Sequence, residues 1–140
     1  MIYRTLHAKE IEQAILDTRG EISNFDPSDW ARVPSNVALT DGKNYSLFHS
    51  PCEGVYVGHY FFRDRGKEAR ELAKEILKEM FTGPYGAKTI VGMTPIENRA
   101  ALWMNRQIGF KEHGDIETSE GPCKLVILTK EQWERRIQDG

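Results

Sequence analysis

The sequence predicts a mixed α/β domain, a sheet covered by helices, and three observations carry that expectation. Apolar residues at helical spacing mark Lys67–Phe81, where Ala69, Leu72, Ala73, Ile76, Leu77, Met80 and Phe81 share one face opposite Arg70, Glu71, Lys74, Glu75 and Lys78. Apolar runs of strand length occur at Val55–Phe62, Lys88–Met93 and Cys123–Leu128. The two kinds of segment alternate along 140 residues with no repeat, low-complexity tract or linker, so one domain spanning 1–140 is expected.

Ile2–Arg4 reads as a short strand. A helix follows Thr5, with Ile11, Ala14 and Ile15 on one face and Gly20 near its stop. Asp26 before Pro27 is a cap for a short helix over Ser28–Arg32, anchored by Trp30. Val37–Leu39 leads through the hairpin signal Asp41-Gly42 into Tyr45–His49, and Pro51–Gly54 is a second turn. Val55–Phe62 has the pattern of a central strand buried on both faces. Gly83-Pro84 ends the long helix, and Lys88–Met93 is the next strand.

Thr94, Pro95 and Glu97 form a capping-box pattern and predict a helix from Thr94 to Ile108, stopped by Gly109. Phe110–His113 starts a strand, Ser119–Pro122 turns, Cys123–Leu128 is the last strand, and Thr129 with Gln132 opens a terminal helix through Trp133.

Composition excludes several functions. Nineteen basic and 21 acidic residues give a net charge of −2, without the overall basic footprint that drives nucleic-acid binding. No apolar run approaches the roughly 20 residues of a membrane span, and the N-terminus lacks a secretory apolar region. His7, His49, His59 and His113 show no ligand spacing, and Cys52 and Cys123 are the two cysteines. A reduced, metal-free, cytoplasmic protein is the expectation.

The chemistry concentrates where VYVGHYFF runs through Arg63-Asp64-Arg65-Gly66 into the long helix. A helix start leaves backbone N–H groups without partners and carries partial positive charge. Arg63, Arg65 and Lys67 add formal charge, and Gly66 lets a ligand approach the backbone, which suits a phosphate or pyrophosphate. A solvated turn before a capped helix is the competing reading of the same residues.

This junction resembles the acyl-CoA-binding motif of the GNAT N-acetyltransferase family, Arg/Gln-x-x-Gly-x-Gly/Ala. Downstream, Asn98-Arg99-Ala100-Ala101 closing in Ile108-Gly109-Phe110 resembles the family's second motif. The resemblance spans nearly the whole chain and extends to small acetyltransferase-like proteins of bacteriophages. It implies a mostly antiparallel sheet flanked by helices, the acyl-CoA N-acyltransferase (GNAT-like) fold, with acetyl-CoA as acyl donor and an amine as acceptor. Residues Gly66, Lys67, Glu68, Ala69 and Arg70 would hold the pyrophosphate through their amides. Main-chain groups of Tyr60, Phe61 and Phe62 would line the pantetheine arm, Tyr60 among them polarising the thioester. Asn98 would bond the arm, with Ala101 and Asn105 on the same helix.

Two positions depart from the family pattern. Glu68 stands where a second Gly or Ala is usual, and Asn105 stands where many members carry a tyrosine that protonates the leaving thiolate. A general acid contributes about 10²–10⁴ in rate, whereas positioning contributes about 7–11 kcal/mol, so the chemistry would be slowed rather than forbidden.

His59 is the candidate base, set against a core histidine with a satisfied hydrogen bond. Glu53 is a weaker base candidate, and Tyr60 and Tyr85 are alternative proton donors, against core packing with a polar tip. The cysteines read as inert buried thiols, and Trp30, Trp103 and Trp133 as packing residues.

The sequence therefore supports a direct-transfer N-acetyltransferase whose acceptor approaches near the early helices, between Glu10 and Arg32. The alternative is a GNAT-like binding or structural module, catalytically weak or inactive, phage-encoded or virion-associated. A homodimer is compatible with the sequence, which is otherwise silent on assembly.

Overall fold

The computed structural model describes residues 1–22 and 24–139. The elements run β1 (Tyr3–Arg4), α1 (Ala8–Arg19), α2 (Pro27–Arg32), β2 (Val37–Thr40), β3 (Tyr45–Cys52), β4 (Val55–Phe61), α3 (Gly66–Thr82), β5 (Thr89–Pro95), α4 (Arg99–Gln107), β6 (Lys111–Thr118), β7 (Gly121–Thr129) and α5 (Lys130–Asp139). Helices and strands follow one another in the order expected from the sequence. They build one seven-stranded sheet, ordered β1-β2-β3-β4-β5-β7-β6. Among the described residues only β4 and β5 pair in parallel, as a strand–helix–strand crossover through α3 requires.

Side chains alternate along β2 and β3 and sort the core onto the two faces of the sheet. Val37, Leu39 and Phe48 point to the face covered by α3, where they meet Leu72, Ile76 and Met80. Ala38, Tyr45 and Leu47 point to the other face and pack with Ile11, Ala14 and Ile15 of α1. The apolar stripe of α3 is thus the lid of the larger core, while α1 and α2 close the smaller one. Trp133 of α5 packs against Phe81, ring centroids 5.4 Å apart.

Several boundaries differ from the sequence expectation. β4 is not buried on both faces throughout. Tyr56 and Val57 are buried, but from Gly58 onward the strand loses its β5 neighbour and becomes half-exposed. The predicted capping box at Thr94 does not form. Thr94 and Pro95 stay in the sheet, paired with Lys124 and Cys123 of β7, and Thr94 Oγ1 accepts a hydrogen bond from Asn105 Nδ2 at 2.9 Å. The helix begins later, at Arg99, with Asn98 as its cap.

The similar Thr129/Gln132 pattern does form its reciprocal pair, each backbone N–H donating to the other's side chain at 3.1 Å. β3 runs on through Cys52, so the turn narrows to Glu53-Gly54. Cys52 is exposed rather than buried, while Cys123 is buried. β6 continues to Thr118, and α5 extends well past Trp133 to Asp139.

Candidate functional site

The parallel pairing of β4 with β5 lasts only from Val55–Val57 opposite Thr89–Val91. Beyond it the two strands part. β4 stays paired with β3 as far as Phe61, and β5 stays paired with β7 as far as Pro95. Each strand therefore keeps its outer neighbour and leaves its inner edge free. The gap between them is a cleft of about 400 Å³. Gly58, His59, Tyr60 and Phe62 line one wall, and Gly92, Met93, Thr94 and Pro95 the other. Arg65, Gly66 and Ala69 close it at the start of α3, and Asn98, Ala101 and Asn105 along α4.

Gly58 is required by packing. A Cβ there would lie 2.7 Å from Cε1 of Phe48, inside the larger core. Tyr60 and Phe62 rest on that core with ring centroids 5.1 Å apart, and Phe61 turns to the opposite face. Burial raises the pKa of the Tyr60 phenol well above its ordinary value, which makes it a weaker acid. Its carbonyl oxygen accepts a hydrogen bond from Arg19 at 3.3 Å.

The turn into α3 is held by a residue the sequence reading did not single out. Asn44 is fully buried, and its Oδ1 accepts from the backbone N–H of Arg63 (2.7 Å) and of Asp64 (2.9 Å). Its Nδ2 donates to Asp64 Oδ2 at 2.9 Å and to Asp41 Oδ2 at 3.2 Å. One side chain thus ties the β2–β3 hairpin to the loop between β4 and α3. Lys43 reinforces the tie with a 2.5 Å ion pair to Asp64, and that bond, with the one from Asn44, lowers the pKa of Asp64. The only signal in the sequence was the turn Asp41-Gly42-Lys43-Asn44.

Arg63 is committed elsewhere. Its guanidinium donates to Asp17 Oδ2 at 2.7 Å and to the Lys43 carbonyl at 2.6 Å, and the bond lowers the pKa of Asp17. Arg65 stands at the helix cap in an extended conformation, and no side chain bonds the first amides of α3. Gly66 has φ +62°, and a Cβ added there would meet nothing within 4 Å, so the approach to the backbone is open. Lys67 and Glu68 are exposed, and Ala69 is buried against the core. Arg70 reaches Glu71 only at 3.7 Å, and its Nε is buried without a protein acceptor.

The second helix start is different. Asn98 Oδ1 accepts from the Ala101 N–H at 3.1 Å, so α4 caps itself. Asn105 is buried and gives its amide to Thr94. Trp103, expected as a packing residue, is 43% exposed and lines the cleft with the exposed Met93. Glu53 lies exposed in its turn, and Tyr85 packs on the core, its carbonyl accepting from the Tyr56 hydroxyl at 2.8 Å.

His59 occupies the junction of the cleft with a second cavity of about 970 Å³ on the α1 face. Its ring stacks beside that of His49 with centroids 6.3 Å apart. His59 is exposed along the cleft, yet crowded by protein, and this desolvation lowers its pKa below the ordinary histidine value. Electrostatic repulsion from the neighbouring His49 and Arg19 acts in the same direction, and Glu120 opposes it. Its imidazole is consequently neutral, with a free lone pair, at neutral pH. No group of three or more metal-ligating side chains occurs among the described residues. Nor, among them, is any helix long and apolar enough to cross a membrane.

An edge strand, an uncapped helix start and a neutral imidazole at the crossing of two cavities can seat an anionic, extended ligand beside a nucleophile. Comparison with known proteins bears on which ligand. No family model and no curated protein matches the sequence. Solved structures do match. An aminoglycoside acetyltransferase AAC(6')-Ib in complex with coenzyme A and kanamycin is 15% identical, with a TM-score of 0.71 over 96% of this chain and 97% of that one. A mutant of the spermidine/spermine N-acetyltransferase SpeG from Vibrio cholerae is 12% identical, with a TM-score of 0.79 over 98% and 97%. An uncharacterized protein from Bacillus halodurans is 14% identical, with a TM-score of 0.74 over 99% and 88%. The chain has the fold of the GNAT acetyltransferases.

Proposed function

We propose that the chain is an acetyl-CoA-dependent N-acetyltransferase acting by direct transfer to an amine. The observation that carries this reading is the parting of β4 and β5 beside an uncapped helix start. The similar structures solved with coenzyme A support acetyl-CoA as the donor. The residues fit such a donor. The unpaired amides of the first turn of α3, with Arg65 and Lys67, suit a diphosphate. The free inner edge of β4 offers main-chain groups to an extended arm, as an added strand would use them. Bound acetyl-CoA supplies an activated thioester.

His59 accepts the proton given up as the acceptor nitrogen bonds the acetyl carbon. A backbone N–H on β4 stabilises the negative charge that grows on the carbonyl oxygen. No residue has to protonate the departing sulfur, because a thiol of pKa about 8.5 leaves without help. Asn105 therefore serves to hold Thr94, not to supply a proton.

Asn105 also favours a second reading, in which the domain binds the donor but turns it over poorly. Titration decides between them. Ligand at about a hundred times its dissociation constant stabilises by ~2.7 kcal/mol, which raises Tm by several degrees. The first reading expects that shift with acetyl-CoA together with thiol release on adding amines. A shift without thiol release leaves the binding module, and no shift at millimolar acetyl-CoA removes both.

A further inference from the structure

We infer that the acceptor is a primary monoamine borne on an aryl or bulky alkyl group, seated in the second cavity, and not a polyamine or aminoglycoside. The inference rests on the acetyltransferase reading and names the substrate class of the same site. The cavity joins the cleft at His59 and Arg19 and is bordered by α1, α2 and the β6–β7 turn. Its lining is half polar, with Asn36, Ser119 and several charged groups, and half apolar. Phe25 and Trp30 meet at 6.1 Å between centroids, Phe61 lies opposite on β4, and Ile15, Ile22 and Leu47 fill the space between. Packing leaves Phe25, Trp30 and Phe61 only partly buried, so their remaining surface is available to a guest.

Charge sets the number of amines. Among the described residues lining this cavity, Glu21 and Glu120 are the only carboxylates. They share it with Arg19, whose guanidinium lies 5.0 Å from the centre of the Phe61 ring. His49 and His59 complete the titratable groups facing the space. Glu120, like His59, lines both the cleft and the cavity and pairs naturally with one ammonium awaiting deprotonation. A second ammonium would have only Glu21, with the charge of Arg19 opposing it, and a third would have no carboxylate to replace its water. An aryl group instead buries apolar surface against Phe25, Trp30 and Phe61.

The test compares 2-phenylethylamine, spermidine and kanamycin on the full chain. Saturation-transfer NMR without coenzyme reads binding, thiol release with acetyl-CoA reads kcat/KM, and an acetyl-CoA thermal shift is recorded separately. The expected result is binding of 2-phenylethylamine, and a kcat/KM at least tenfold above that for either polycation. Trp30→Ala should lower its affinity about tenfold while the acetyl-CoA shift is retained. Glu120→Lys, on an exposed turn where folding is not at risk, should do the same. Preference for spermidine or kanamycin overturns the inference, as does absence of 2-phenylethylamine binding or unchanged affinity in Glu120→Lys. A missing acetyl-CoA shift beside intact amine binding removes the acetyltransferase reading and leaves the cavity's selectivity standing.

Discussion

The two helix starts that flank the cleft look alike in the sequence and end differently. α4 satisfies itself: Asn98 caps Ala101, and Asn105 secures Thr94 of the preceding strand. α3 does not. Its cap position is Arg65, which bonds none of the first amides, and the turn before it is pinned from outside by Asn44. A fold that fastens the loop and still leaves the helix donors unspent has stored hydrogen-bonding capacity for a ligand. The short helix α2 makes the same point from the other side, since Asp26 accepts from both Ser28 and Asp29 there.

The largest expected effect tests the open start. Gly66→Glu places a carboxylate where an anion is expected and should remove the acetyl-CoA thermal shift, a loss of more than about 100-fold in affinity or ~2.7 kcal/mol. Gly66→Ala carries the backbone cost of φ +62°, about 1–2 kcal/mol, without the charge, and should keep the shift. Equal loss in both variants would break the contrast.

Next is Asn44→Ala. It strands two backbone donors and the Asp64 carboxylate, and should cost roughly 2–4 kcal/mol in urea unfolding, with weaker acetyl-CoA binding in whatever remains folded. A variant as stable as the parent would show that the loop is held by other means.

Asn98→Ala should cost about 1 kcal/mol, the ordinary worth of a cap. Unchanged acetyl-CoA affinity in this variant would sharpen the contrast by making Asn98 a cap alone. A tenfold loss would assign it to the ligand as well.

The smallest effect is in pH dependence. The folded-state pKa of His59 is lowered by desolvation, so the acid limb of turnover should lie below about pH 6.5 and vanish in His59→Gln. The same sign applies to stability. As pH falls through the unfolded value near 6.5, the unfolded chain takes up the proton first, and stability declines until the folded group is protonated too. An acid limb unchanged in His59→Gln would exclude this residue as the base.

Much of the fold was legible because it depends on periodicity. The α3 stripe reads directly as a buried face, and every one of its seven apolar positions is in the core. The Thr129/Gln132 cap was legible for the same local reason. The site was less so. His59 and Gly66 could be picked out by type and place, but Asn44 and the exposure of Trp103 could not. Asn44 acts on residues 19 and 20 positions away, and an exposed tryptophan has the same letter as a packed one such as Trp30.

The amino-acid order by itself determined which segments bury a face, because that follows from the spacing of apolar residues along one helix or strand. It also determined where the glycine stands that opens the approach to α3. Whether Thr94 would cap a helix or extend a strand was decided only by tertiary structure. The β7 ladder and the Asn105 amide compete for the same Thr94 groups a cap would use, and the ladder runs on past them, the Ile96 N–H donating to the Pro122 carbonyl at 3.2 Å. The parting of β4 from β5, on which the proposed function turns, is likewise a property of which neighbours each strand keeps.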